Sequence, residues 1–143
     1  LFCLTISLGM ASGGDQKVDT ILVHYFKIQA ALAGDTTTGI DDAARSIVQV
    51  ADSVEPGPEQ QKLFAQMAEA ARKLQGLDLE EARTEFFNLS KPLLAYLHQH
   101  YQGDQEYFRF YCDMAKKGWI QAENDLRNPY YGSSMLKCGE LIG

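Results

Sequence analysis

Four successive apolar stripes at helical spacing constrain this 143-residue chain more than any other feature. The first joins Val18, Ile21, Leu22, Tyr25, Ile28 and Leu32, which share one face of a helix expected from about 17 to 33. Gly34, tolerant of left-handed geometry, is expected to end it. A second stripe runs Ile40, Ala44, Ile47, Ala51 and Val54, with Asp41 and Asp42 in a first turn that favours negative charge, and Glu55-Pro56-Gly57-Pro58 breaks it. Pro58 suits the first turn of a third helix carrying Leu63, Met67, Ala70 and Leu74 before Gly76. The fourth starts at a capping box, Asp78 with Glu81, and carries Leu79, Ala82, Phe86, Leu89, Leu93 and Tyr96. Pro92 lacks an amide donor and crowds the carbonyl of Asn88, so a kink or a local break is expected there. Four amphipathic helices on short connections bury their stripes together most simply as an antiparallel four-helix bundle, here over about 17–100. The expected fold is mainly α, with a C-terminal strand and turn segment over 106–143.

Within that segment Glu106–Cys112 is aromatic and follows Gly103-Asp104, which favours a strand. Lys116-Lys117-Gly118 reads as a turn, the stretch from Trp119 to Arg127 as a short strand or helix, and Ser133–Cys138 as a helical turn ended by Gly139. No repeat, low-complexity tract or linker divides residues 12–143, and they read as a single helical domain.

The net charge of -6 and pI near 5.0 leave no basic field for phosphates, so nucleic-acid binding is disfavoured. Residues 1–11 are uncharged and apolar and lead into Ser12-Gly13-Gly14, the pattern of a signal-peptide h-region with Gly9 and Ala11 near a cleavage site. The competing reading is a buried first strand or a frayed helix. The stretch is shorter than the roughly 20 residues a membrane span needs, and the mature chain is expected to carry none. Because the chain starts without a basic region or Met, residues 1–11 are expected to be a truncated signal. Export removes Cys3 and leaves Cys112 and Cys138 in an oxidising compartment.

Those two cysteines flank the most specific chemistry in the chain. Cys112 with Met114, and Met135 with Cys138, gather two thiols and two thioethers, and soft sulfur donors select monovalent copper and similar ions. On an extended strand 112 and 114 point to one side, and on a helix 135 and 138 share a face, so the two pairs can converge on one ion. The competing reading is a Cys112–Cys138 disulfide, with the methionines filling gaps beneath aromatics. A third leaves both thiols unpaired. His98 and His100 are possible additional ligands, although two-residue spacing at a helix end fits a solvated terminus better. His24 beside the first stripe reads as a half-exposed packing residue, and Trp119 and the tyrosines of Asn128-Pro129-Tyr130-Tyr131-Gly132 as a turn covering the end of the helices. The enzyme classes lose support because the chain has no Gly-x-Ser-x-Gly elbow, no phosphate-cradling glycine loop, no His-Glu-x-x-His and no Cys-x-x-Cys.

Tyr111-Cys112-Asp113-Met114-Ala115, Gly118-Trp119-Ile120-Gln121 and the run from Asn128 to Glu140 resemble an uncharacterised bacterial periplasmic domain. It occurs alone and at the C-terminus of periplasmic adaptor subunits of copper/silver-type efflux systems. Tyr25–Leu32 and Phe87–Leu93 are similar to the same family, so the resemblance spans nearly all of the mature chain. It implies a periplasmic helical domain in a heavy-metal context, with a metal ion and an efflux or other periplasmic protein as expected partners. Where the family commonly shows Cys-Pro-Met this chain has Cys112-Asp113-Met114, and it contains no barrel-like or lipoyl-like adaptor pattern.

Overall fold

The computed structural model describes residues 13–55 and 57–143; the expected signal segment and Cys3 lie outside them. The chain is mainly helical, with α1 (Gly13–Ala33), α2 (Ile40–Asp52), α3 (Pro58–Lys73) and α4 (Leu79–Gln99) followed by a small antiparallel sheet. The sheet contains β1 (Phe108–Cys112), β2 (Lys117–Gln121) and β3 (Glu140–Leu141), with β1 in the middle. A single 3-10 turn, Gly132–Ser134, precedes β3. Each helix packs on its neighbour in the chain, α1 also touches α4, and β2 lies on α4 and α1.

The apolar stripes explain which faces turn inward. Every residue of the α1 stripe is fully buried, and so are Ala44, Ile47, Phe86, Leu89, Leu93 and Tyr96. The third stripe turns inward at Met67, Ala70 and Leu74 and differs only at its first position, where Phe64 enters the core, tilted against Tyr96 at 5.1 Å between ring centroids, and Leu63 packs at its edge. A larger ring at the neighbouring position gains more buried area than the leucine, and the small residues Ala68 and Ala71 let α3 approach on that face.

The helix boundaries follow local chemistry. Asp78 accepts the Glu81 amide at 2.9 Å while Glu81 accepts the Asp78 amide at 3.3 Å, completing the expected box. Two expectations need correction. Asp35, with φ 57°, takes the left-handed position after α1 in place of Gly34. The strain is offset by the bonds its carboxylate makes to Arg83 and to the Ser133 amide. Of the kink or local break expected at Pro92, the break does not occur: α4 runs unbroken from Leu79 to Gln99, with Pro92 buried and the Ser90 hydroxyl donating back to the Phe86 carbonyl at 2.9 Å.

The expected strand begins two residues later, at Phe108, and the turn lies at Asp113–Lys116 rather than at Lys116-Lys117-Gly118. Lys116 adopts the left-handed conformation, φ 56°, so that Lys117 and Gly118 are free to pair in β2 opposite Cys112 and Tyr111. Trp119 to Arg127 is accordingly a strand as far as Gln121 and irregular beyond it. Among the described residues no helix is long and apolar enough to cross a membrane.

Candidate functional site: paired thiols at the sheet

β1 alternates, so Phe110 and Cys112 turn toward the core while Arg109 and Tyr111 stay half-exposed. Phe110 lies opposite Trp119 in register and the two rings stack at 5.7 Å. Cys112, the last residue of β1, is fully buried. Cys138, half-buried, arrives just before β3, and the two Sγ atoms are 2.9 Å apart. The Ala115 amide in the turn donates to Cys112 Sγ at 3.4 Å, and the Met114 amide faces Cys138. The Cys138 thiol is pushed above its ordinary range chiefly by its hydrogen bond with Cys112, with burial and the charges of Cys112 and Asp113 acting the same way.

The segment carrying Cys138 is held by Asn128. This side chain is fully buried, donates from Nδ2 to the Cys138 carbonyl at 2.7 Å and accepts the amides of Tyr130 and Tyr131 at 2.8 and 3.1 Å on Oδ1. Its own amide donates to the Leu136 carbonyl at 2.7 Å, so the bonds of one residue fold 128–138 back on itself. Gly139, φ 143°, then passes against Trp119; a Cβ there would stand 2.9 Å from the indole.

A second set of polar bonds ties the same segment to the helices. Arg83, on the buried side of α4, donates to the Pro129 carbonyl at 3.0 Å, to the Leu32 carbonyl at 2.9 Å, to Asp35 at 2.8 Å and to Glu80 at 2.9 Å. Asp35 also accepts the Ser133 amide, and these donors hold its carboxyl below the usual range, Ser133 first and Arg83 next. Gln29 donates to the Arg127 carbonyl at 2.7 Å, and Tyr130 reaches the Gly118 carbonyl at 2.6 Å.

The sulfur residues do not all occupy the positions their spacing suggests. β1 ends at Cys112, so the two-residue alternation does not reach Met114, which stands on the turn with 65% of its surface exposed. Its backbone amide meets Cys138. The 3-10 turn ends at Ser134, so Met135 and Cys138 do not lie on one helical face; they close a turn in which the Cys138 amide donates to the Met135 carbonyl at 3.0 Å. Met135 is half-buried. His98 is exposed in the last turn of α4, and His100 caps that helix with its ring 5.5 Å from Tyr96. Among the described residues no three His, Cys, Asp or Glu side chains gather as a metal-holding group, so neither histidine joins the thiol pair.

Asn128 and Arg83 position the site and were not singled out by sequence. The Asn-Pro pair followed by two tyrosines signals a turn, but the reach of its amide to residue 138 requires the fold. Arg83 was legible only as a charge adjoining the α4 stripe. Comparison with known protein families, curated proteins and solved structures finds no match.

Proposed function

We propose that this chain is an exported binding domain, an antiparallel four-helix bundle whose C-terminal segment is fastened by an oxidisable Cys112–Cys138 pair. On this reading it is a structural or protein-interaction module. The observation that carries the proposal is the 2.9 Å approach of two sulfurs brought together from positions 26 apart. Bonding sulfurs lie about 2.05 Å apart, so closure asks for a movement of under about 1 Å. In the loop-closure account the bond contributes about 3 to 4 kcal/mol by restricting the unfolded chain. The short helix connections and the sequential packing of α1 through α4 favour the bundle. Export draws on the apolar residues 1–11 and on the resemblance to a periplasmic domain.

A second reading keeps the heavy-metal context of that resemblance. Here the reduced pair takes a soft monovalent ion such as copper as cargo, with Met135 as the preferred candidate thioether because it is half-buried while Met114 is largely exposed. The adjacency of two reduced thiols favours it. A linear two-sulfur site needs its sulfurs at about twice a metal–sulfur bond of roughly 2.3 Å, so the pair has to open.

Non-reducing peptide mapping of the exported protein separates the two. A linked peptide joining residues 112 and 138, with no copper retained in native mass spectra, is the expected result. Two free thiols, protected stoichiometrically by monovalent copper, overturn the staple in favour of metal handling.

A further inference from the structure

The two sulfurs are chemically alike but differ in access. Cys112 is fully buried at the end of β1, whereas Cys138 is only partly buried. We propose that Cys138 is the entry sulfur and Cys112 the resolving sulfur of a two-step exchange with the disulfide of another molecule. This rests on the pair being oxidisable, as proposed above, and adds the order of events and the chemical class of the oxidant.

In the first step the deprotonated Cys138 sulfur attacks one sulfur of an incoming disulfide, R–S–S–R. A Cys138–S–S–R bond forms, the original S–S bond breaks and R–S⁻ leaves, taking a proton from water. In the second, Cys112 gives its proton to water and its sulfur attacks that of Cys138. The Cys112–Cys138 bond forms as the second R–S⁻ departs. The protein loses two electrons and two protons, and the oxidant becomes two R–SH.

Displacement at sulfur is in line, with nucleophile and leaving group on opposite sides of the attacked atom. Cys112, fully buried, lies 2.9 Å from Cys138, so in-line attack sends the departing group to the side of the Cys138 sulfur opposite this buried residue. The reverse order has no such path, because an adduct on Cys112 would have to fit into packed core beside Phe110 and Trp119. Reduction runs through the same atom: an external thiol reaches Cys138, and the sulfur released on Cys112 meets the Ala115 amide already directed at it at 3.4 Å.

The test treats folded protein with oxidised glutathione in a background carrying Cys3→Ser, so that each variant keeps one thiol. Circular dichroism verifies that both variants retain their helices. With Cys112→Ser a stable single adduct accumulates on Cys138. With Cys138→Ser the remaining Cys112 reacts at least about 100-fold more slowly while folded and readily once unfolded in guanidinium. Comparable rates, or faster reaction at Cys112, overturn the assignment. Acid-quenched mapping of the two-cysteine protein provides a readout free of substitutions at the pair, and the early adduct is expected on Cys138. A protein that stops at that adduct overturns the resolving role and the staple together. One that closes the bond through a Cys112 adduct overturns the order alone.

Discussion

The helices and the C-terminal segment are held by different physics. Across α1 to α4 a continuous apolar core dominates, with Tyr25 stacked on Phe86 at 4.7 Å, and the buried bonds Tyr25 to Ser90 and Tyr96 to Asp15 run within it. From Phe108 onward the regular structure is one five-residue strand on either side of a turn and a two-residue third strand. Phe110, Trp119, Ile120 and Tyr130 join the same core, but the irregular chain between and beyond the strands is ordered by buried side chains bonding to backbone: Asn128 to Cys138, Arg83 to Pro129, Gln121 to Asp125 and Arg127. Apolar burial is non-directional and tolerates small shifts, while a buried polar bond is lost outright when one partner goes. The first region is therefore expected to fail globally and the second locally.

The largest effect is expected from Phe86→Ala, which empties the centre of the helical core and lowers stability by about 3 to 5 kcal/mol in chemical denaturation. The loss is expected to be seen equally by helical and aromatic signals. Asn128→Ala is expected to cost about 1 to 3 kcal/mol, because it leaves the Cys138 carbonyl and two tyrosine amides without partners. Hydrogen exchange should quicken over 128–141 and remain slow in the buried turns of α1 and α4; uniform quickening would erase the contrast. Gly132→Ala brings a Cβ to 1.9 Å from the Asp35 carboxylate at φ 56°, and is expected to cost about 1 to 2 kcal/mol with the same local signature.

Two smaller effects concern protons. Asp35 has a folded pKa below its unfolded value, so its contribution is present above about pH 4 and is lost as pH falls through the depressed folded value. Acid titration followed by NMR should loosen residues 132–134 before the helices, and Asp35→Asn should remove that step. At the thiols, Cys112→Ala removes the main cause of the raised Cys138 pKa, leaving Asp113 as the charged group still acting to raise it. Alkylation of Cys138 should then begin at lower pH than in the parent, and an unshifted profile would contradict the S–H bond to Cys112.

Much of the helical region was legible because period and packing agree there. Val18 to Leu32 faces inward as its spacing predicts, and the Asp78 box needs only four consecutive residues. The error at Leu63 arose where two adjacent large residues competed and the partner ring, Tyr96, lies 32 positions away. The C-terminal segment was legible only as strand chemistry and turn residues. Its third strand depends on a Gly139 passage against Trp119 and on Asn128, long-range fits that no local pattern encodes. For the candidate site, spacing suggested two sulfur pairs. Both the shared-ion and the disulfide readings require Cys112 and Cys138 to meet, and they do; the left-handed Lys116 and the end of the 3-10 turn at Ser134 dispose the methionines otherwise, leaving Met114 outside.

The central claim is that bonding of the Cys112–Cys138 pair fastens the C-terminal segment without altering the helices. Hydrogen exchange of the fully oxidised and fully reduced protein, resolved by peptide, tests this most directly. Oxidation is predicted to slow exchange over β1, β3 and residues 128–138 while the buried turns of α1 and α4 exchange at the same rate in both forms. Identical exchange throughout, or slowing spread evenly over the helices, would contradict it.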